Sequence, residues 1–318
     1  MSGFGEFEFI AELLAPLSAE GAFGLTDDAA VLPSLKHGEA WCVTKDAMTM
    51  GVHFRPEDDA DLIARKLMRT NISDLAAMGA RPVGYFLALA LDGRRDRDWL
   101  RRFCEGLAQD QAEFGVALYG GDTTSNPALV TMSLTAFGAL PRGQELRRNG
   151  ARPGDSVWVT GTIGDSALGL EVLKAPDTFP EEHGEWLTSR YWLPQPRPAF
   201  GQALRGQATS CLDISDGLLA DLGHIAKHSG VGIEVDHDAV PLSEAARAIL
   251  ARHPDLGLLP FTGGDDYELA FTLPEGAEPP EHAHLRCTRI GQVTDGEGVR
   301  LIRNGEIVST DKAGWRHF

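Results

Sequence analysis

The chain lacks what nucleic-acid binding, membrane insertion or thiol chemistry would require. Lys and Arg total 29 against 46 Asp and Glu, a formal charge of −17 over 318 residues. Affinity for a phosphate backbone comes from basic side chains that release counterions, and no basic stripe is evident, which argues against a nucleic-acid partner. The longest apolar run, Tyr85 to Leu91, is far short of the roughly 20 residues of a membrane span. Met1 to Ile10 holds Glu6 and Glu8 with no basic residue ahead of an apolar stretch, against a signal peptide. Cys42, Cys104, Cys211 and Cys287 show no paired spacing and lie in mostly apolar contexts. They read as reduced, buried thiols of a cytoplasmic protein, neither disulfides nor nucleophiles. No Gly-x-x-x-x-Gly-Lys-Ser/Thr and no Gly-x-Gly-x-x-Gly opening a dinucleotide unit occurs.

What the chain has is carboxylates in short Gly- or Thr-rich segments that read as turns. They are Thr26-Asp27-Asp28, Thr44-Lys45-Asp46, Asn71-Ile72-Ser73-Asp74, Gly120-Gly121-Asp122-Thr123-Thr124, Asp213-Ile214-Ser215-Asp216-Gly217 and Gly263-Gly264-Asp265-Asp266. One such turn is ordinary loop and N-cap chemistry. Recurrence needs a further cause. Two follow apolar, strand-like runs, Trp41 to Val43 and Val116 to Tyr119, which sets their carboxylates at strand ends, where open α/β sheets bind ligands. Ionised carboxylates gathered in one place repel, and hard divalent cations with oxygen ligands relieve that repulsion. Without a Cys or His cluster the pattern points to Mg²⁺ and, through its preference for phosphate oxygens, to nucleotide chemistry. Taken singly, Asp27-Asp28 reads equally as a solvated turn, and Asp165 and Asp216 equally as N-caps. Thr160 to Asp165 reads either as a phosphate cradle or as a plain strand-to-helix turn.

Hydrophobic periodicity predicts helices near Glu6–Leu17, Ala60–Met78 and Trp99–Phe114, and strands at Tyr85–Leu91, Val116–Tyr119 and Leu129–Phe137. The polar stretch Asn149 to Asp155 marks a boundary, giving domains 1–148 and 149–318. Beyond it the pattern restarts with a strand Ser156–Thr160, helices from Asp165 and Asp216, and strands Gly232–Val235 and Tyr267–Leu273. The class is α/β (α+β) in two domains.

Gly5-Glu6-Phe7-Glu8, Asp27-Asp28, Thr44 to Asp46 with Gly51-Val52-His53-Phe54, and Asn71 to Ala80 resemble the thiamine-monophosphate kinase family. So do Gly120 to Thr124, Arg148 to Asp155, Val159 to Leu170, Asp213 to Leu218, Phe261 to Phe271 and Gly314 to Phe318. Several of these motifs are shared with the wider superfamily of aminoimidazole ribonucleotide synthetase, selenophosphate synthetase and a hydrogenase maturation factor. The resemblance implies ATP-dependent phosphorylation of thiamine monophosphate to thiamine diphosphate with several Mg²⁺ ions. It also implies a homodimer whose N-terminal sheets form a β-barrel beside a C-terminal α/β domain, with ATP near the cleft between domains. By resemblance, Asp27, Thr44, Asp46, Asp74, Asp122, Asp213 and Asp216 would hold metal, with Asp28 as a helper. Lys45, where Thr is common, would replace a ligand or touch phosphate. Gly121, Asp122, Arg148 and Ser215 would contact ATP, and His53, Asp265 and Trp315 the thiamine phosphate. No acid, base or nucleophile is expected, since a phosphate monoester ionises near about pH 6. A superfamily sibling with another acceptor, a metal-dependent phosphohydrolase and a non-catalytic acidic metal-binding protein are the alternatives.

Overall fold

A computed structural model of the chain describes residues 5–282, 285–310 and 314. Two compact units divide it, one comprising residues up to Leu75 with Ala80–Gly143, the other Ala76–Gly79 with Gln144 onward. The break therefore falls at Gly143/Gln144, ahead of the Asn149–Asp155 stretch. The Leu146 N–H donates to Met78 O (3.1 Å) and the Cys211 N–H to Arg147 O (2.8 Å), which binds 144–148 into the second unit.

In the first unit, α1 (Glu6–Phe9) runs on as π and 3₁₀ turns to Leu17. There follow β1 (Glu39–Thr49), α2 (Ala60–Ala77), β2 (Arg81–Leu91), α3 (Arg97–Phe114), β3 (Ala117–Ser125) and β4 (Thr131–Pro141). The sheet order is β1-β4-β2-β3, antiparallel except for β2/β3, and it is open among the described residues. Strand alternation sends Met48, Tyr85, Leu87, Leu89 and Leu134 into one core with Ile63, Leu67, Ile72 and Leu75 of α2 and Phe103 and Leu107 of α3. Asp96 caps α3 by accepting the Trp99 N–H. A buried ion pair ties the two helices together: Arg69 (1% exposed side chain) grips Asp110 (0%), with Nε to Oδ2 at 2.8 Å and Nη2 to Oδ1 at 2.9 Å. Cys104 lies in this core, and burial pushes its thiol up to about 12.

The second unit holds β5 (Ser156–Thr160), α4 (Asp165–Lys174), α5 (Glu181–Trp192), α6 (Pro198–Leu204), β6 (Ser210–Asp213), α7 (Leu218–Ser229) and β7 (Gly232–Asp236). Then come α8 (Glu244–Arg252), α9 (Leu259–Thr262), β8 (Leu269–Leu273), β9 (Cys287–Thr294), β10 (Gly298–Arg303) and β11 (Glu306–Ile307). Seven strands run in the order β11-β10-β7-β9-β5-β8-β6, with only β10/β7 parallel among the pairs. Leu218, Leu222 and Ile225 of α7 share a core with Ile233, Val235, Ile290 and Leu301 of the sheet.

Three of the six acidic segments are not turns. Thr44–Asp46 lies inside β1 and Gly120–Thr124 inside β3, because their ladders continue with β4 and β2 through those residues. Asn71–Asp74 lies inside α2. Tyr267 has φ 52°, which no strand accommodates, so β8 begins at Leu269.

Candidate active site

Thr44 and Asp46, two apart on β1, share the face that meets α2. The Thr44 hydroxyl donates to Asp74 Oδ2 at 2.5 Å, and the fully buried Asn71 accepts the Asp46 N–H on Oδ1 (3.1 Å). Asn71 is itself set by its Nδ2 donating to Leu67 O (2.9 Å). Burial, and then the neighbouring Asp74 charge, push the Asp46 carboxyl up to about 6, against a hydroxyl hydrogen bond from Thr70. Two carboxylates and a hydroxyl, all oxygen, with the Asp74 charge disfavouring the ionisation of Asp46, suit a hard divalent cation such as Mg²⁺.

Lys45 does not join this group. Alternation turns it to the opposite, exposed face of β1, with Nζ 3.5 Å from Thr135 Oγ1. Asp122 is exposed on β3 in register with Ala88, which pairs with Ser133 and through it with Ala47. That row belongs to the Lys45 face, so Asp122 is not brought beside Asp46 within the sheet. A Cβ on Gly121 would stand 1.9 Å from Leu87 O, so only glycine keeps this ladder closed. Asp27 and Asp28 are exposed in a loop anchored where the Ala19 N–H meets Leu118 O (2.7 Å) and the Val31 N–H meets Gly21 O (2.8 Å). His53 Nδ1 accepts the Thr49 N–H at 3.1 Å, so a neutral ring carries its proton on Nε2.

In the second unit β6 delivers the buried Asp213, and the chain then turns through Ser215, Asp216 and Gly217 into α7. Asp221, which the motif reading missed, organises that turn. Its Oδ2 accepts the N–H groups of Ser215 (2.9 Å), Asp216 (3.0 Å) and Gly217 (3.0 Å). Burial first, then Asp216, raise the Asp221 carboxyl to about 7. Ligand atoms of Asp216, Asp221 and His224 all lie within 4.8 Å of one another, a second oxygen-rich group able to hold a cation. Arg148 is exposed, and its charge is felt at His224, whose pKa falls through burial and then through that arginine. The signal for Asp221 was its place one helical turn into α7, from which a carboxylate reaches back to free N–H groups.

Asp265 follows Gly263-Gly264, and its N–H donates to Ser215 O at 2.8 Å, so its loop is fastened to the Ser215 turn. Trp315 lies outside the described residues. At Thr160–Asp165 the strand-to-helix turn is favoured over a phosphate cradle: Asp266 Oδ2 accepts the Gly164 N–H (2.8 Å), and Asp165 takes Thr162 (2.7 Å) and Ser243 (2.5 Å) hydroxyls. An anion would meet two buried acids there.

Residues 26–140 match the family model for the AIR synthase related protein N-terminal domain, and 152–304 that for the C-terminal domain. The thiamine-monophosphate kinase of Caulobacter vibrioides is 42% identical over 98% of this chain and 90% of its own length. This chain belongs to the thiamine-monophosphate kinase family. Within that family, the crystal structure of the Stenotrophomonas maltophilia K279a enzyme superposes with a TM-score of 0.80 at 41% identity, covering 89% of this chain and 91% of its own. AaThiL complexed with AMPPCP and TMP gives a TM-score of 0.80 at 30% identity, covering 100% of this chain and 98% of its own. The two-domain AIR synthase-like fold is thus common to this chain and these relatives, and among the described residues no helix is long and apolar enough to cross a membrane.

Proposed function

We propose that the chain transfers the terminal phosphoryl group of ATP to thiamine monophosphate, giving thiamine diphosphate and ADP. The observation that carries this reading is the Asp46–Asp74 pair with the Thr44 hydroxyl, set in the fold of a family whose members bear that activity. Thr44, Asp46 and Asp74 would hold Mg²⁺ in the first unit, and Asp213 and Asp216 in the second. Bound Mg²⁺ would supply charge neutralisation for phosphates that approach each other. Asp27, Asp28 and Asp122 are proposed as further ligands, Lys45 through its backbone alone.

The protein's own groups bind and orient. Arg148 offers a planar fork to ATP phosphate, and the Gly121 and Ser215 backbones allow close approach. His53, with its proton on Nε2, presents a donor of the kind a phosphate oxygen accepts. Asp265 and Trp315 suit a cationic thiazolium ring, one by charge and one by its aromatic face. The acceptor phosphate is already ionised near neutral pH, so no side chain needs to take a proton.

A homodimer fits the outer face of the four-stranded sheet. Val43 is 62% exposed there beside an aromatic group in which Trp41 meets Phe137 edge-on at 5.3 Å and Phe86 stands 5.9 Å from Phe137. Two such faces would close a barrel and bring Asp122, on the same face, toward a second copy. Light scattering on Val43→Glu against wild type tests this, with loss of the dimer expected.

Incubation with ATP, Mg²⁺ and thiamine monophosphate, scored for thiamine diphosphate and ADP, tests the activity. Equal yields of both products support the reading. ADP without acceptor points to a phosphohydrolase, and no turnover by folded protein to a sibling acceptor.

A further inference from the structure

The loop that presents Asp265 is held from several sides. Asp265 and Tyr267 both adopt left-handed backbone, φ 70° and 52°, a conformation unfavourable for a non-glycine residue. Hydrogen bonds to a neighbouring segment hold it in place: the Asp265 N–H donates to Ser215 O and the Tyr267 N–H to Ile214 O, each at 2.8 Å. Between them Asp266, 3% exposed, turns inward to accept the Gly164 N–H at 2.8 Å. A Cβ on Gly264 would stand 2.2 Å from Ser215 O, so the loop lies flat against the Ser215 turn.

This arrangement leaves Asp265 half-buried and sets the Tyr267 hydroxyl 3.2 Å from its Oδ1. Tyr267 is 9% exposed, so the hydroxyl comes from a ring fixed in the protein. A carboxylate on a short side chain otherwise turns about two torsions, and a donor on one oxygen selects one setting. We propose that Tyr267 is a positioning residue for the acceptor: its hydroxyl holds the Asp265 carboxylate in the orientation from which it meets a cationic, phosphate-bearing heterocycle. The proposal rests on the reading that thiamine monophosphate is the acceptor and that Asp265 contacts it. It adds a residue that acts on the acceptor through Asp265.

The test compares KM for thiamine monophosphate, KM for ATP, kcat and melting temperature in wild type, Tyr267→Phe, Asp265→Ala and the double variant. Loss of a hydrogen bond to a partly exposed charged group predicts a rise of about three- to tenfold in the acceptor KM of Tyr267→Phe. The ATP KM and kcat should stay within about twofold, since neither depends on that contact. In the Asp265→Ala background the Tyr267 change should add nothing, because the carboxylate it orients is gone. An unchanged acceptor KM in Tyr267→Phe overturns the proposal, as does an equal rise with Asp265 already removed. A general rise in both KM values, or a Tyr267→Phe protein that no longer folds, assigns the hydroxyl to the fold and overturns it too. Wild-type protein that makes no thiamine diphosphate refutes the functional reading instead, before any variant is compared.

Discussion

The Thr44 hydroxyl donates to Asp74 Oδ2 at 2.5 Å across 30 residues of sequence, and this one contact places the acidic face of β1 on the acidic turn of α2. Asp46 stands on the same side of the strand, and burial and the Asp74 charge push its carboxyl up to about 6. Ionised at neutral pH, Asp46 is held at a cost by its burial and by the Asp74 charge, a strain that a bound cation would relieve.

That strain sets a pH dependence. An acid raised from 3.8 to about 6 binds more protons folded than unfolded, so its contribution is present below about pH 4 and is lost as pH rises through 6. Without Mg²⁺ the melting temperature should fall across that window. Added Mg²⁺ should recover about 2–4 °C at pH 8 and much less at pH 5, where protons compete for the same oxygens. Asp46→Asn should flatten the slope without Mg²⁺ and lower turnover by about a hundredfold or more. Calorimetric scans from pH 4 to 8 with and without Mg²⁺ check it, and a slope unchanged in the variant would overturn the assignment.

Asp221 gathers three backbone N–H groups of the Ser215 turn on one oxygen. Asp221→Ala strands those donors beside a buried face, at a cost of about 2 kcal/mol. The turn also carries Asp216 and Ser215, so the KM for ATP should rise more than that for the acceptor. Steady-state kinetics with each substrate varied in turn check this, and equal effects on both KM values would count against it.

Motif reading picked out the acidic segments but not their local setting. Asp, Gly and Thr are turn formers by propensity, and Thr44 and Gly120 nonetheless sit in strands because partner strands continue past them. Whether Lys45 and Asp46 act together depends on alternation within β1, which becomes visible only once the strand is seen to run to Thr49. Asp221 was overlooked because it acts on the Ser215–Gly217 backbone from beyond the motif, and Tyr267 because it reads as the first residue of a strand and not as a partner of the Asp265 carboxylate. The helices over Ala60–Ala77 and Arg97–Phe114 were legible because their apolar faces repeat at helical spacing over 18 residues each.

Lys45 gives the converse prediction. With its ammonium on the exposed face near Thr135, its removal changes no ligand around Asp46. Lys45→Ala should keep the Mg²⁺ concentration for half-maximal activity within about twofold, since its side chain faces away from Thr44, Asp46 and Asp74. A Mg²⁺ titration of activity decides it, and a shift of tenfold would place the side chain among the proposed metal ligands.

The last prediction concerns what keeps α2 in place behind Asp74. Arg69 meets Asp110 through two nitrogens and also reaches Glu113, while Arg65 adds Nε to Asp110 Oδ1 at 2.8 Å. Asp110 is fully buried on α3, so the pair is desolvated and its worth lies in completeness. Asp110→Asn takes from the buried Arg69 guanidinium its fully buried counter-charge, leaving it the half-exposed Glu113, and should cost about 3 kcal/mol of stability. Replacing both partners, as Arg69→Met with Asp110→Leu, should cost less than the single change because no charge is left stranded. Neither Arg69 nor Asp110 is among the proposed metal or substrate residues, so turnover per folded molecule should hold within about twofold in both variants. Denaturant unfolding of the two variants beside wild type measures the order, and a double variant less stable than Asp110→Asn would show that the pair stabilises by attraction beyond its own desolvation.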